Sequence, residues 1–299
     1  MIASVIICTF NRCTLLQRLL ESLTQQTVTP NSYEIIVVDD GSTDHTATVC
    51  GTMLDRLPHL KYVATGYNSG LSNAANRGIE SASSAYLLFT DDDCIPESNW
   101  VEKMCSRLKQ EAIVAGAVVS PTTHYFKLCH NIAQFYPFMP GQKQLYVDFI
   151  AGANMGIQAA VFKDIGVFNP ETIIPDMEFI LRARRQGYTI AYAATAMVVH
   201  DPARVTFRAV LGYAELHAYH TIRLRLLFQD VLVSPRLLFS PFAIALAAPL
   251  IALKTTAHIY LGHPKLLRYL LTIPTVYAIK LAWCWGALKS LLKKKRGQR

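Results

Sequence analysis

The chain has 299 residues, 52% of them hydrophobic, with 29 Lys and Arg against 21 Asp and Glu and a formal net charge of +8. So much apolar material excludes a disordered chain and leaves room for one large domain or two ordinary ones. The charge is divided: Met1 to Ala203 carries 14 basic and 19 acidic residues, whereas Arg204 to Arg299 carries 15 basic residues and only two acids, Glu215 and Asp230.

Ser4 to Thr9 reads as a buried strand, and Thr14 to Thr24, with Leu15, Leu16, Leu19, Leu20 and Leu23, has the period of an amphipathic helix. No basic segment precedes that strand and its apolar run stops at Asn11 and Arg12, so no signal peptide is expected. Seven scattered cysteines, odd in number and with no Cys-x-x-Cys pair, point to reduced thiols in a cytosolic compartment. A second apolar strand, Tyr33 to Val38, ends at Asp39-Asp40-Gly41-Ser42. A helical stretch through Leu57, a short strand at 61–63, a turn at Asn68-Ser69-Gly70 and a short helix from Ser72 to Glu80 follow. Alternation of this kind predicts a mostly parallel central sheet flanked by helices, with ligands at the carboxyl ends of its strands.

The next strand, Ala85 to Phe89, delivers Thr90-Asp91-Asp92-Asp93 to such an end. Three adjacent carboxylates repel one another, so a hard divalent ion, Mg or Mn, bridging to phosphate would suit them. A solvated acidic turn capping a helix begun by Pro96 and Glu97 is the alternative. Strand one also ends in a polar run, Thr9-Phe10-Asn11-Arg12. Turn chemistry explains each cluster singly but not why all three strand ends are polar.

Ser4-Val5-Ile6-Ile7-Cys8-Thr9-Phe10-Asn11-Arg12, Glu34 to Asp44, Asn68-Ser69-Gly70-Leu71-Ser72 through Asn76-Arg77-Gly78, and the Asp91 to Asp93 triplet together resemble the family 2 glycosyltransferases. The resemblance covers roughly residues 1–205 and implies a nucleotide-sugar-binding fold of the GT-A type. It implies that Asp40 hydrogen-bonds the nucleotide base, and that Thr9, Asn11, Arg12, Asn68, Asn76, Asp91 and Asp92 lie at the donor. It also implies that Asp93 and Asp91 hold the metal, with His200 completing the site. Many relatives carry Arg where this chain has Ala75.

Beyond a strand at Ile113 to Val119, the aromatic and proline-rich stretch from Pro121 to Gln144 reads as a loop, either packed or lining an acceptor cleft. Asp148 to Gly156 resembles the segment that opens the family's acceptor region. Pro175-Asp176-Met177-Glu178 is a good helix start on structural grounds alone. In the family this is the Glu-Asp motif, here with Pro175 in place of Glu, and Asp176 matches its general base; Glu178 is the other candidate. His200 follows an apolar strand, where a lone histidine is often structural.

The basic tail lacks zinc-ligand spacing and any recognisable nucleic-acid module, which argues against nucleic acid as a partner. Its cations alternate with aliphatic runs, as for an anionic membrane surface. Phe207 to Phe228 suits an amphipathic helix on headgroups, and Leu237 to Leu253 and Tyr269 to Leu288 form either a membrane hairpin or in-plane helices. Lys289, Lys293, Lys294, Lys295 and Arg296 would anchor the end at the interface.

The expected organisation is therefore a catalytic domain over 1–205 and a membrane-associated helical region over 206–299. The expected activity is inverting, metal-dependent transfer from a UDP- or dTDP-sugar to a hydroxyl acceptor, plausible acceptors being lipid-linked saccharides of cell-surface polysaccharide assembly. The site is expected at the cell membrane with the catalytic domain on the cytoplasmic side. The Gln-x-x-Arg-Trp signature of processive synthases is absent, and no Gly-x-Gly-x-x-Gly follows the first strand, which argues against a dinucleotide oxidoreductase. A catalytically silent scaffold that binds nucleotide-sugar is the alternative.

Overall fold

A computed structural model describes residues 1–121, 123–141 and 144–296. Thr122, Gln142 and Lys143 of the aromatic stretch, and the side chains of Lys294, Lys295 and Arg296 of the basic anchor, lie outside the described ones. By internal packing the chain forms two compact units, Met1–Val119 with Pro137–Asp201, and Ser120–Tyr136 with Pro202–Arg299.

The first unit is built on one sheet in which the strands beginning at Leu60, Glu34, Ser4, Tyr86, Met155, Ile113, Ile190 and Cys94 lie side by side in that order, with the strand beginning at Tyr146 paired to that beginning at Ile190. Strands β1 (Ser4–Thr9), β2 (Glu34–Asp39), β3 (Leu60–Ala64) and β4 (Tyr86–Phe89) are parallel neighbours. The apolar runs of β1, β2 and β4 are largely buried on both faces, as such a sheet requires, whereas β3, at the sheet edge, exposes Lys61 and Tyr62. Helix α1 (Cys13–Leu23) covers part of it with Leu16, Leu19, Leu20 and Leu23 fully buried, and α2 (Thr46–Thr52) and α3 (Leu71–Ser81) complete the alternation.

Beyond β4 the sheet becomes mixed. The strands are β5 (Cys94–Pro96), β6 (Ile113–Val119), β7 (Tyr146–Val147), β8 (Met155–Gln158) and β9 (Ile190–His200). Strand β8 runs antiparallel to both β4 and β6, while β6 and β9 are parallel. Pro96 and Glu97 do not start a helix. Pro96 ends β5, which pairs antiparallel with the last residues of β9, Cys94 opposite His200, and α4 (Trp100–Leu108) begins after Asn99. A proline fits there because β5 is the edge strand.

In the second unit the stretch expected as a loop contains a helix, α5 (Tyr125–Phe135), with Leu128, Cys129, Ile132 and Ala133 buried. Its partners are the C-terminal helices. Two short helices of the first unit, α6 (Ala159–Ile165) and α7 (Pro175–Arg185), intervene in sequence, and then come α8 (Phe207–Leu227), α9 (Pro241–Gly262) and α10 (Ile273–Arg296). Ala218 and Ile222 of α8, Ile244 of α9, and Cys284, Ala287 and Leu291 of α10 form the core of this unit. Helix α9 starts at Ser240, whose hydroxyl accepts from the Ala243 amide, and continues past Lys254. Pro241–Gly262 and Pro264–Lys293 are long and apolar enough to cross a membrane, and only 22% of the first window is buried. Outward-facing Phe242, Leu246, Leu250 and Leu261 account for much of that exposure.

Candidate active site

Because β1, β2 and β4 are parallel and in register, their polar termini meet at one edge. Thr9 lies opposite Asp39, the Asp40 amide donates to the Thr9 carbonyl and the Thr90 amide to that of Ile6. Two residues past Thr90, Asp92 accepts from the Thr9 hydroxyl at 2.9 Å and from Arg12 at 2.9 Å. Arg12 also lies 3.7 Å from Asp93.

The turn after Asp91, closed by the Cys94 amide on the Asp91 carbonyl, leads into β5. Pairing of β5 with β9 sets Asp93 beside His200, with Asp93 Oδ1 3.4 Å from His200 Nε2. The Asp201 amide on the Asp93 carbonyl, at 2.8 Å, fixes the approach. Ligand atoms of Asp91, Asp93 and His200 all lie within 4.8 Å of one another. Burial, then the charges of Asp93, Asp92 and Asp176, push the Asp91 carboxyl up to about 8, against the pull of Arg12. Asp93 Oδ1 is buried without a hydrogen-bond partner. A buried carboxylate oxygen with no donor, among like charges, is costly unless a cation fills the space. Two carboxylates and an imidazole are a donor set that accepts Mn or Mg, so these residues fit a divalent ion.

Asp176 arrives from another direction, on the first turn of α7 with Pro175 at its first position. Its Oδ1 accepts from the Met177 amide at 2.8 Å and its Oδ2 from the Gly152 amide at 3.0 Å. Burial pushes its carboxyl up, partly offset by these two bonds. Its charge acts on Asp91, which puts the predicted base and the predicted metal ligands in one electrostatic site. Glu178 is committed elsewhere. Both its oxygens accept from Arg182 Nε, at 2.8 and 3.1 Å, and the same guanidinium donates to the Ile165 and Val167 carbonyls.

Several predicted donor residues turn out to hold the rim together. Asn11, at φ 53°, accepts on its side chain from the Thr43 amide and donates its own amide to Ser42, which joins the β1 and β2 loops. Asn tolerates this left-handed backbone better than most residues. Asp40 accepts from the Ser69 amide and hydroxyl, from Thr65 and from the Gly70 amide. It thereby closes the turn that carries exposed Asn68. Gly41, at φ +84°, lies against the backbone of Tyr67, where a Cβ would come within 2.6 Å.

The Asn76 side chain is engaged within the protein. Its amide donates to the Phe168 carbonyl at 2.8 Å and accepts from the Phe168 amide at 3.0 Å, which uses both ends of the side chain to tie α3 to the turn after α6.

Two positioning residues escaped the sequence. The Gly152 amide orients Asp176, although its place in Ala-Gly-Ala-Asn signals no such role. Asn154, fully buried, bridges the Ala117 and Ala196 carbonyls where the β6 and β9 register slips, and accepts from Trp100 Nε1. Gly116 is required beside it, since any Cβ there would overlap the Asn154 amide. Upstream of Gly152, Asp148 and Phe149 line a cavity of about 360 Å³ with Phe138, Arg184 and Tyr188.

The profile of Glycosyl transferase family 2 matches residues 4–166, and that of Glycosyl transferase family group 2 matches residues 86–288. Glycosyltransferase AglE of Haloferax volcanii is 28% identical over 236 residues, covering 75% of this chain and 77% of AglE. Glycosyltransferase GlyG of Streptococcus pneumoniae is 26% identical over 178 residues, covering 59% of this chain and 56% of GlyG. Among solved structures, mannosyltransferase PcManGT from Pyrobaculum calidifontis, in complex with GDP-Man and Mn2+, superposes with a TM-score of 0.66 at 17% identity, covering 98% of this chain and 87% of that one. S. aureus TarS 1-349 in complex with UDP-GlcNAc gives 0.55 at 16% identity, covering 99% and 92%. At these identities the structures establish a shared fold.

Proposed function

This chain belongs to glycosyl transferase family 2, and we propose that it transfers one sugar, with inversion and with a divalent metal, from a nucleoside diphosphate sugar to a hydroxyl acceptor at a membrane surface. The observation that carries this is the pairing of two unlike carboxyl sites. One is the Asp91, Asp93 and His200 cluster, in which Asp93 Oδ1 is buried without a hydrogen bond, and the other is Asp176, held by two backbone amides.

Asp91, Asp93 and His200 would hold Mn or Mg, which supplies positive charge to the donor diphosphate and so makes it a better leaving group. Arg12, fixed on Asp92 at the same edge, adds positive charge beside that position. Asp176, whose two oxygens are already oriented, takes the proton of the acceptor hydroxyl as its oxygen attacks the anomeric carbon opposite the departing phosphate. Burial makes this carboxylate a stronger base than a solvated one, which suits proton abstraction. Asp40 supports the donor pocket by holding the 65–70 turn, and its Oδ2, which accepts from the Gly70 amide, has a second lone pair for a base N–H.

The donor class is supported by the GDP-Man and UDP-GlcNAc complexes of the structural neighbours; a UDP- or dTDP-sugar is the proposed choice. The catalytic part is proposed as residues 1–205, and residues 206–299 as the membrane-associated part, with the site on the cytoplasmic side. A lipid-linked saccharide acceptor, as in cell-surface polysaccharide assembly, fits the exposed apolar helices.

The test is nucleoside diphosphate release from a panel of UDP-, dTDP- and GDP-sugars with Mn or Mg, using membrane-reconstituted protein and lipid extract. Metal-dependent release that disappears in both Asp93→Ala and Asp176→Asn is the expected result. Tight nucleotide binding with no turnover across the panel would instead identify a silent scaffold.

A further inference from the structure

In the second unit, basic side chains from three segments, α8, α9 with its C-cap, and α10, gather near Tyr136, which follows α5. Lys280 of α10 places its ammonium 5.6 Å from the centre of the Tyr136 ring and donates to the Ala133 carbonyl at 2.7 Å. The His258 and His263 rings, at the end of α9, meet the same ring edge-on at 6.1 and 5.8 Å. His217 of α8 lies 3.2 Å from the Gln134 amide nitrogen. Arg225, two turns further along α8, donates to Ser234 at 3.0 Å, and its charge acts on both Tyr136 and His217.

The charges acting on His217 are those of Lys280, Arg225 and His220, all of one sign; together with burial, which weighs most, they push its imidazole down to about 4. The unit has two acids: Glu215 is ion-paired to Lys289, and Asp230 is exposed. Gathering cations in a partly dry place is unfavourable unless an anion completes the set. Tyr136, His263, Lys280, Arg225 and His217 all keep some solvent exposure.

We propose that the basic cluster around Tyr136 is a binding site for a lipid phosphate. Phosphate oxygens accept several charge-assisted bonds at once, which matches an ammonium, a guanidinium and imidazoles presented together. The lipid part follows from α9. Leu261, Leu250, Leu246 and Phe242 are exposed along the helix that ends in His258 and His263, so an apolar stripe leads to the cluster. An acyl or isoprenyl chain covers the stripe while its phosphate reaches the cations. The site deepens the membrane-acceptor reading above and rests on it for the biological source of the lipid. Its test measures binding without turnover, so the two fail separately.

The full-length protein in detergent is titrated with geranyl phosphate, with inorganic phosphate and with phosphatidylglycerol micelles. Saturable binding of geranyl phosphate is expected, weakened about tenfold or more in a Lys280→Gln, Arg225→Gln double variant because two charge-assisted contacts are lost. A Lys254→Gln, Lys265→Gln control, which removes two exposed cations outside the cluster, should bind as the parent does. Cluster-dependent binding of phosphatidylglycerol as well identifies general headgroup recognition, and binding of geranyl phosphate alone identifies a phosphomonoester lipid; both uphold the site. Inorganic phosphate binding as tightly as geranyl phosphate overturns the lipid part. Equal losses in the two double variants, or no saturable binding, overturn the site. Should the cluster variant misfold, a diazirine analogue of geranyl phosphate on the unmodified protein decides. Crosslinks at Tyr136, His258 or His263 support the site, and crosslinks confined to Phe242 to Leu250 overturn it.

Discussion

At the edge of the first unit three carboxylates stand side by side, and around Tyr136 in the second unit several basic groups do the same. Elsewhere the described ion pairs are conventional: Glu34 takes Lys61, Glu178 takes Arg182, Asp201 takes Arg18 and Glu215 takes Lys289. The two exceptions differ in how they are built. The acid cluster rests on the sheet, with Asp92 paired to Arg12 and hydrogen-bonded by Thr9, and Asp91 and Asp93 as the proposed ligands of a cation. The basic cluster is spread over helices and rings with no carboxylate among the charges that act on His217. Like charge concentrated in a partly buried place is costly unless a ligand of opposite sign completes it.

The sharpest way to break this comparison is to remove a charge and measure function and stability together. Asp93→Ala should lower turnover about 10³-fold. In metal-free buffer it should melt no earlier than the parent, because it relieves repulsion in the triplet. Mn should raise the melting temperature of the parent and leave that of the variant unmoved. A variant that loses activity and metal-free stability together would make the triplet a structural feature.

Next in size is the distinction between the two acids of α7. Asp176→Asn should lower kcat by about 10²- to 10⁴-fold with little change in KM for the donor. Glu178→Gln should leave kcat within about twofold and cost about 2 kcal/mol of stability, since it weakens a buried pair with Arg182. The reverse pattern would move the base to Glu178. Asn76→Ala comes third. It should cost about 2 kcal/mol by leaving the Phe168 amide and carbonyl without partners, while nucleotide affinity stays as it was.

The polar edge of the first unit was readable because its signals are local. Each apolar run announces a buried strand, and each polar end follows directly, so parallel packing brings Thr9, Asp40 and Asp93 to one edge. What could not be read depended on partners far away in sequence. Cys94 to Pro96 became a strand only by pairing with Val198 to His200, and the proline that suggested a helix start is tolerated at that edge. Tyr125 to Phe135 looked irregular because aromatics and the nearby Pro137 and Pro140 hid the spacing of Leu128, Cys129, Ile132 and Ala133. Asn76 and Phe168, 92 residues apart, satisfy each other, and an asparagine in a recognisable motif gives no hint of that. Tyr136 and its basic neighbours come from distant helices, so composition revealed the excess charge without its focus.

The smallest effect tests the second unit by pH. His217 is held at about 4 in the fold, below the ordinary imidazole value of about 6.5. Between these values the unfolded chain binds more protons than the folded one, so stability rises with pH across the window. The contribution of His217 is therefore complete above about pH 6.5 and lost as pH falls toward 4. His217→Gln should remove part of that slope, read from thermal melts between pH 4 and 7. Bound geranyl phosphate should flatten it in the parent too, because an anion beside the imidazole favours its protonated form. A slope unchanged by saturating geranyl phosphate would mean that the anion sits away from His217, and the symmetry between the two clusters would fail on the basic side.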